Sequence, residues 1–230
     1  MRQSTHGLQN EPPTVSTDDF CVQLDDTTLY EDNVLALLAQ VHRRRLSSEL
    51  IAFYGSSSFR MWERMAEDLN ELRVANLGFG GATYASAVHY FGRAVAPLKP
   101  AKIVLYFGEN DISMDGMTAK STFDNFLRLI DVARKQLGPI PIFCLSVKQS
   151  LANWIYADEV MRLNALIADF CSGDPHTTYV DVATCLLGEN GRPMGRYFKD
   201  DNIHINHRGY TAWADVLAAV PNLFTAESGR

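Results

Sequence analysis

The sequence predicts an α/β fold, a three-layer α/β/α sandwich built on a five-stranded parallel sheet. Three observations predict it. Short, nearly continuous apolar runs recur along the chain from residue 50 onward. Stretches with helical spacing separate them, as in a parallel sheet covered on both faces. Turn residues, above all glycine, close the first three runs, where such a sheet hands its chain to a helix.

Each element has its own justification. Leu50-Ile51-Ala52-Phe53-Tyr54 ends at Gly55 and is the first strand, and Phe59 to Leu69 comes next with helical spacing. Val74-Ala75-Asn76-Leu77 ends at Gly78, and Tyr84 to Val95 reads as helix. Ile103-Val104-Leu105-Tyr106-Phe107 ends at Gly108. Phe123, Phe126, Leu127, Ile130, Ala133 and Leu137 then mark one face of a long helix between Thr118 and Gly138. Ile140 to Leu145 is the fourth strand, which requires Pro141 to lie at its start or off its ladder. Val160 to Phe170 is helical, and Thr178 to Val182 is the fifth run. Asn206 caps a last helix on which Tyr210, Trp213, Val216, Leu217 and Val220 share a side.

Ahead of the first strand, Asp32-Asn33 caps a helix that runs from Val34 to Arg43-Arg44-Arg45. Cations suit that end of the dipole, so the arginines read as a solvated helix end rather than an anion patch. Residues 1–19 are polar, with Pro12-Pro13, and predict a loose arm. No linker or repeat divides the remaining chain, so residues 20–230 are expected to form a single domain.

Composition narrows the function classes. The chain has 230 residues, 47% hydrophobic and 21% charged. That balance excludes a wholly disordered chain, a collagen and a coiled coil. A net charge of −6 argues against nucleic acid as a partner. Cys21, Cys144, Cys171 and Cys185 include no Cys-x-x-Cys pair, so neither a zinc ribbon nor a thioredoxin-type pair is written here. Cys144 reads as a small core hydrophobe. Nowhere do 18 consecutive apolar residues occur, so integral membrane contact is not expected. No apolar stretch succeeds Met1 to His6, and free cysteines fit a reducing cytoplasm, which is the expected location. Oligomeric state is not legible.

In open parallel sheets ligands bind beyond the carboxyl ends of the strands, and four such places hold unusual residues. Gly55-Ser56-Ser57-Ser58 puts hydroxyls where a strand turns into a helix. A serine there suits a nucleophile whose substrate becomes an oxyanion, although small hydroxyl residues also simply cap helices. Asn76 to Thr83 carries three glycines, without the G-x-G-x-x-G pattern or a P-loop lysine. No nucleotide cofactor is implied; the segment is either a plain turn or a backbone that approaches a ligand closely. Gly108-Glu109-Asn110-Asp111 offers Asn110 as a neutral donor, or an Asx turn. Asp201 stands three residues before His204, so a carboxylate can reach Nδ1 and leave Nε2 free. Asp200, Asp201, His204 and His207 also form a carboxylate–imidazole set of the kind that holds a divalent metal, but nothing nearby completes a closed site. No metal and no cofactor are therefore expected.

These four segments resemble the four blocks of the SGNH, or GDSL-like, hydrolase superfamily. Tyr54-Gly55-Ser56-Ser57-Ser58-Phe59-Arg60-Met61-Trp62 resembles the first block and Asn76-x-Gly78-x-x-Gly81-x-Thr83 the second. Gly108-x-Asn110-Asp111 resembles the third and Asp201-x-x-His204 the last. The resemblance spans residues 50–220 and implies a flavodoxin-like fold and a serine esterase. Carried over, it makes Ser57 the nucleophile, His204 the general base and Asp201 its partner. It makes the N–H groups of Ser57 and Gly81 and the side chain of Asn110 an oxyanion hole. The usual Gly-Asp-Ser-Leu reads Gly55-Ser56-Ser57-Ser58 here, so Ser56 competes with Ser57 for the role. Spacing from Gly55 and Trp62 favours Ser57. Asp111 is expected to be structural and His207 a solvated neighbour. The partner implied is a small-molecule ester. A non-catalytic carbohydrate- or lipid-binding module, a metal-dependent hydrolase, and an acyl thioesterase or lysophospholipase are the alternatives.

Overall fold

The computed structural model describes residues 30–42 and 49–225. The expected N-terminal arm, Cys21 and the Arg43–Arg45 run lie outside the described residues. Five strands, β1 (Ile51–Gly55), β2 (Val74–Gly78), β3 (Lys102–Tyr106), β4 (Ile142–Leu145) and β5 (Thr177–Val180), form one parallel sheet in the order β2-β1-β3-β4-β5. Pro141 falls immediately before β4, where its missing N–H costs no ladder bond.

Alternation along the strands assigns their side chains to two cores. Ala52, Tyr54, Leu77, Ile103, Leu105 and Cys144 face one way, onto α1 (Glu31–His42), α4 (Tyr84–Ala94), α6 (Ala119–Leu137) and α7 (Ala157–Ser172). Ile51, Phe53, Val104, Tyr106, Phe143 and Leu145 face the other, onto α2 (Ser57–Arg60), α3 (Met65–Asp68) and α8 (His207–Ala218). Burying each such side chain is worth roughly 1.5–3 kcal/mol, which is why the strands read as continuous apolar runs. A short α5 (Glu109–Ser113) comes after β3.

The caps agree with the sequence where it was specific. Thr118 accepts from Ser121 N and Gly138 closes α6; Asn206 accepts from Arg208 N and Gly209 N at the start of α8. Two expectations need correction. The first helix begins at Glu31, so Asp32 and Asn33 lie in its first turn rather than ahead of it. Acidic groups are favourable there too. The predicted helix from Phe59 to Leu69 is two short helices, α2 and α3. The cause is Asn76 on β2, whose Nδ2 takes the Phe59 carbonyl at 2.6 Å and also reaches the Trp62 carbonyl at 3.4 Å. A partner from the sheet thus captures the carbonyls that a continuous helix needs.

The order β2-β1-β3 places a switch point between β1 and β3, where a crevice opens at the carboxyl edge. Ile51 pairs with Val74 on one side and Lys102 on the other, and Gly55 with Gly78 and Tyr106. Three strands therefore end level, and the turns after them lie side by side.

Candidate active site

Ser57 is the first residue of α2, directly beyond β1. Of the three adjacent serines it alone is partly exposed; Ser56 and Ser58 are buried. Ser56 occupies the N-cap position, and its carbonyl accepts from Phe59 N and Arg60 N. Ser57 Oγ lies 2.9 Å from His204 Nε2, so of the three serines it is Ser57 whose hydroxyl meets the imidazole.

His204 Nδ1 lies 2.7 Å from Asp201 Oδ2. Asp201 Oδ1 accepts from the backbone N–H groups of Ile203 and His204, both at 2.9 Å. Asn202, between them, has φ +57, which closes the turn tightly enough for one carboxylate to hold ring and backbone together. Burial alone would raise the Asp201 pKa, but the hydrogen bonds from the His204 ring and from both N–H groups outweigh it and hold the carboxyl at about 2. The turn is itself anchored: Lys199 N donates to His204 O at 2.8 Å, and Ala152 N donates to Asn202 O at 3.1 Å.

The glycine turn after β2 reaches the same place by close approach. A Cβ on Gly78 would lie 2.4 Å from Arg60 N, and one on Gly80 3.2 Å from Arg60 Nε. At Gly78, where the contact is with backbone, only a residue without a side chain lets the strand end lie against α2. Gly81 has φ +72, and its carbonyl accepts from Tyr30 Oη at 2.9 Å. Asn110, on α5, donates Nδ2–H to Ala82 O at 2.9 Å, which ties it to the residue after Gly81. A carboxamide nitrogen carries two hydrogens, so one donor remains.

Asp111 is fully buried and accepts from Tyr84 N through both oxygens, at 3.0 and 3.2 Å, at the start of α4. Burial pushes its pKa up to about 7 against that donor. Its structural reading fits this geometry. His207 is exposed and borders a cleft of about 240 Å³ lined by Met61, Trp62, Lys199 and Tyr210 rather than by Ser57 or His204. Among the described residues no three His, Cys, Asp or Glu side chains are grouped as a metal site. Among the same residues no helix is long and apolar enough to cross a membrane.

Tyr30 gave no recognisable signal in the sequence, and Asn76 and Tyr210 were singled out there without the contacts they make. Asn76, Tyr30 and Tyr210 act through tertiary hydrogen bonds to backbone carbonyls, and no local spacing encodes such a bond.

Known proteins share both the sequence pattern and the fold. The model described as "GDSL-like Lipase/Acylhydrolase family" matches residues 46–212. The chain belongs to this family. GDSL-like and related solved structures share its fold. One, a Streptococcus pneumoniae protein provisionally described as a platelet activating factor, has a TM-score of 0.70 at 19% identity, covering 83% of this chain and 92% of that one. A GDSL-like lipase from Bacteroides thetaiotaomicron has a TM-score of 0.65 at 19% identity, covering 83% and 94%. A carbohydrate esterase family 3 protein from Talaromyces cellulolyticus has 0.57 at 12% identity, covering 74% and 94%. At these identities the likeness is one of fold. No curated protein matches the chain.

Proposed function

We propose that this GDSL-like protein is a serine esterase, hydrolysing a small carboxylic ester through an acyl-enzyme. The observation that carries the reading is the unbroken chain Ser57 Oγ···Nε2 His204 Nδ1···Oδ2 Asp201, at 2.9 and 2.7 Å. Ser57 Oγ attacks the ester carbonyl while His204 Nε2 takes its proton. Asp201 holds the imidazole in the required tautomer and stabilises the imidazolium that forms. The N–H groups of Ser57 and Gly81 and the free Nδ2–H of Asn110 stabilise the charge that develops on the carbonyl oxygen. His204 then protonates the leaving alcohol, and water repeats the sequence to free the acid.

The carboxylate held at about 2 supports this role, because Asp201 stays ionised at any pH where an ester would be turned over. Covalent labelling by a fluorophosphonate, with the adduct mapped by mass spectrometry, tests the reading. The label is expected on Ser57, and Ser57→Ala is expected to lose both the label and hydrolysis of p-nitrophenyl acetate. Label on Ser56, or full activity in Ser57→Ala, would overturn it. A non-catalytic binding module would take no label at all, and a metal-dependent hydrolase would lose activity to a chelator. Comparing p-nitrophenyl esters of increasing chain length with an acyl-CoA separates esterase from thioesterase and lysophospholipase preference.

A further inference from the structure

Asn110 has a neighbour that the ester chemistry does not use. Glu109, the first residue of α5, is buried, and its Oε2 is ion-paired with Lys148 Nζ, whose side chain is wholly buried in the loop after β4. The Lys148 ammonium also lies 5.9 Å from the centre of the Tyr106 ring, and its backbone N donates to Tyr106 Oη at 3.4 Å. A buried polar path thus runs from Tyr106 through Lys148 to Glu109, next to Asn110.

Such a pair is a poor way to stabilise a core. Withdrawing two charges from water costs about what their attraction returns, and apolar isosteres often do as well. Here burial alone would lower the Lys148 pKa, but Glu109 and Tyr106 outweigh it and keep the ammonium charged. The second oxygen, Glu109 Oε1, is buried without a hydrogen-bond partner among the described residues, so Lys148 is the side chain that holds this carboxylate.

The local backbone gives the pair something to do. The chain leaves β3 through Gly108 at φ +111, where a Cβ would sit 2.7 Å from Leu163 Cδ2. The next three residues are each fastened to a different element: Glu109 to the β4 loop, Asn110 to Ala82, Asp111 to Tyr84 N. Without the first fastening, the start of α5 is held only through Asn110 and Asp111 themselves, and the angle of the Asn110 carboxamide is less firmly set. We propose that Glu109 and Lys148 are a positioning pair for the reaction, fixing the angle at which Asn110 meets the developing oxyanion. This rests on the esterase reading above.

The test is the double variant Glu109→Gln/Lys148→Met, which keeps both volumes and leaves no lone buried charge, assayed on p-nitrophenyl acetate with and without Asn110→Ala. The double variant is expected to melt within a few degrees of the parent. Its kcat is expected to fall about tenfold while KM stays within about twofold, because binding of the ground state is not what Asn110 supplies. Asn110→Ala is expected to cost roughly 10²-fold or more in the parent but much less in the double variant, since a misaimed donor has little left to lose. An unchanged kcat, or an undiminished cost of Asn110→Ala, overturns the pairing role. Should the double variant fail to fold, Lys148→Arg keeps the charge but shifts the carboxylate, and is judged by the same coupling to Asn110. A parent that neither turns over an ester nor takes a fluorophosphonate label would overturn the esterase reading itself, and this proposal with it.

Discussion

Tyr210 Oη donates to the Ser58 carbonyl at 2.8 Å, so the helix just after His204 is bonded to the residue just after Ser57. The Tyr210 ring also stacks on Trp62, centroids 5.0 Å apart and planes 15° from parallel. Phe59 and Trp213 complete the contact, edge to face. The 2.9 Å approach of His204 to Ser57 therefore spans two segments 147 positions apart that are clamped together just beneath it. Tyr210→Phe keeps the stack and removes the hydroxyl donor. A lost buried hydrogen bond of this kind costs about 1–3 kcal/mol. Urea unfolding should show that loss, and kcat should fall several-fold with KM nearly constant. Unchanged stability would mean that the stack alone holds the two helices.

Asp201 has a separate role from the clamp. Asp201→Asn preserves the shape of the turn but offers the ring a donor as readily as an acceptor, so the wrong tautomer faces Ser57. In a serine hydrolase that change costs about 10⁴-fold in kcat. Steady-state rates on p-nitrophenyl acetate check it. A loss below about tenfold would indicate that the backbone already fixes the ring.

Asp111 makes stability depend on pH in an unusual direction. Its native pKa, about 7, lies above the ordinary carboxylate value, so the folded chain binds this proton more tightly than the unfolded one. Between the two values unfolding releases a proton, and the contribution of Asp111 falls as pH rises through that window. The slope is about 1.4 kcal/mol per pH unit at most. Unfolding free energies measured from about pH 4 to 8 should show this decline, and Asp111→Asn should flatten it. A variant with the parent's slope would assign the decline to other groups.

Much of the architecture, and the places where the candidate site residues stand, could be read from the sequence, for definable reasons. Strands buried on both faces need unbroken apolar runs, so Ile51 to Tyr54 and Ile103 to Tyr106 were conspicuous. Ser57 and Asn110 lie just beyond strand ends, where fold class already directs attention, and Asp201 and His204 stand just ahead of the last helix. The division of the Phe59–Leu69 segment was not legible, because it depends on the Asn76 side chain arriving from β2. Glu109 and Lys148, 39 positions apart, were illegible for the same reason: each looks like a solvated charge until the sheet brings them together.

Gly78 offers a test of how closely the glycine turn must approach α2. A Cβ there would lie 2.4 Å from Arg60 N and 2.7 Å from Phe59 Cβ, both within the short helix that begins with Ser57. Backbone cannot give way as a flexible side chain can, so Gly78→Ala must push β2 and α2 apart. Overpacking of this kind typically costs about 1–3 kcal/mol, and the backbone contact argues for the upper end. On the proposed mechanism the displacement also carries the Gly81 N–H away from the oxyanion, so activity should fall further than the folded fraction does. Gly173→Ala is the matched control: it has φ −95, and its nearest contact is an ordinary 3.8 Å to Phe170 O. Far-ultraviolet circular dichroism through thermal melts, with kcat/KM measured well below the midpoint, distinguishes the two effects. Equal behaviour of the two variants would show that the turn and the helix can separate without cost, and that the missing side chain at Gly78 is not what lets them meet.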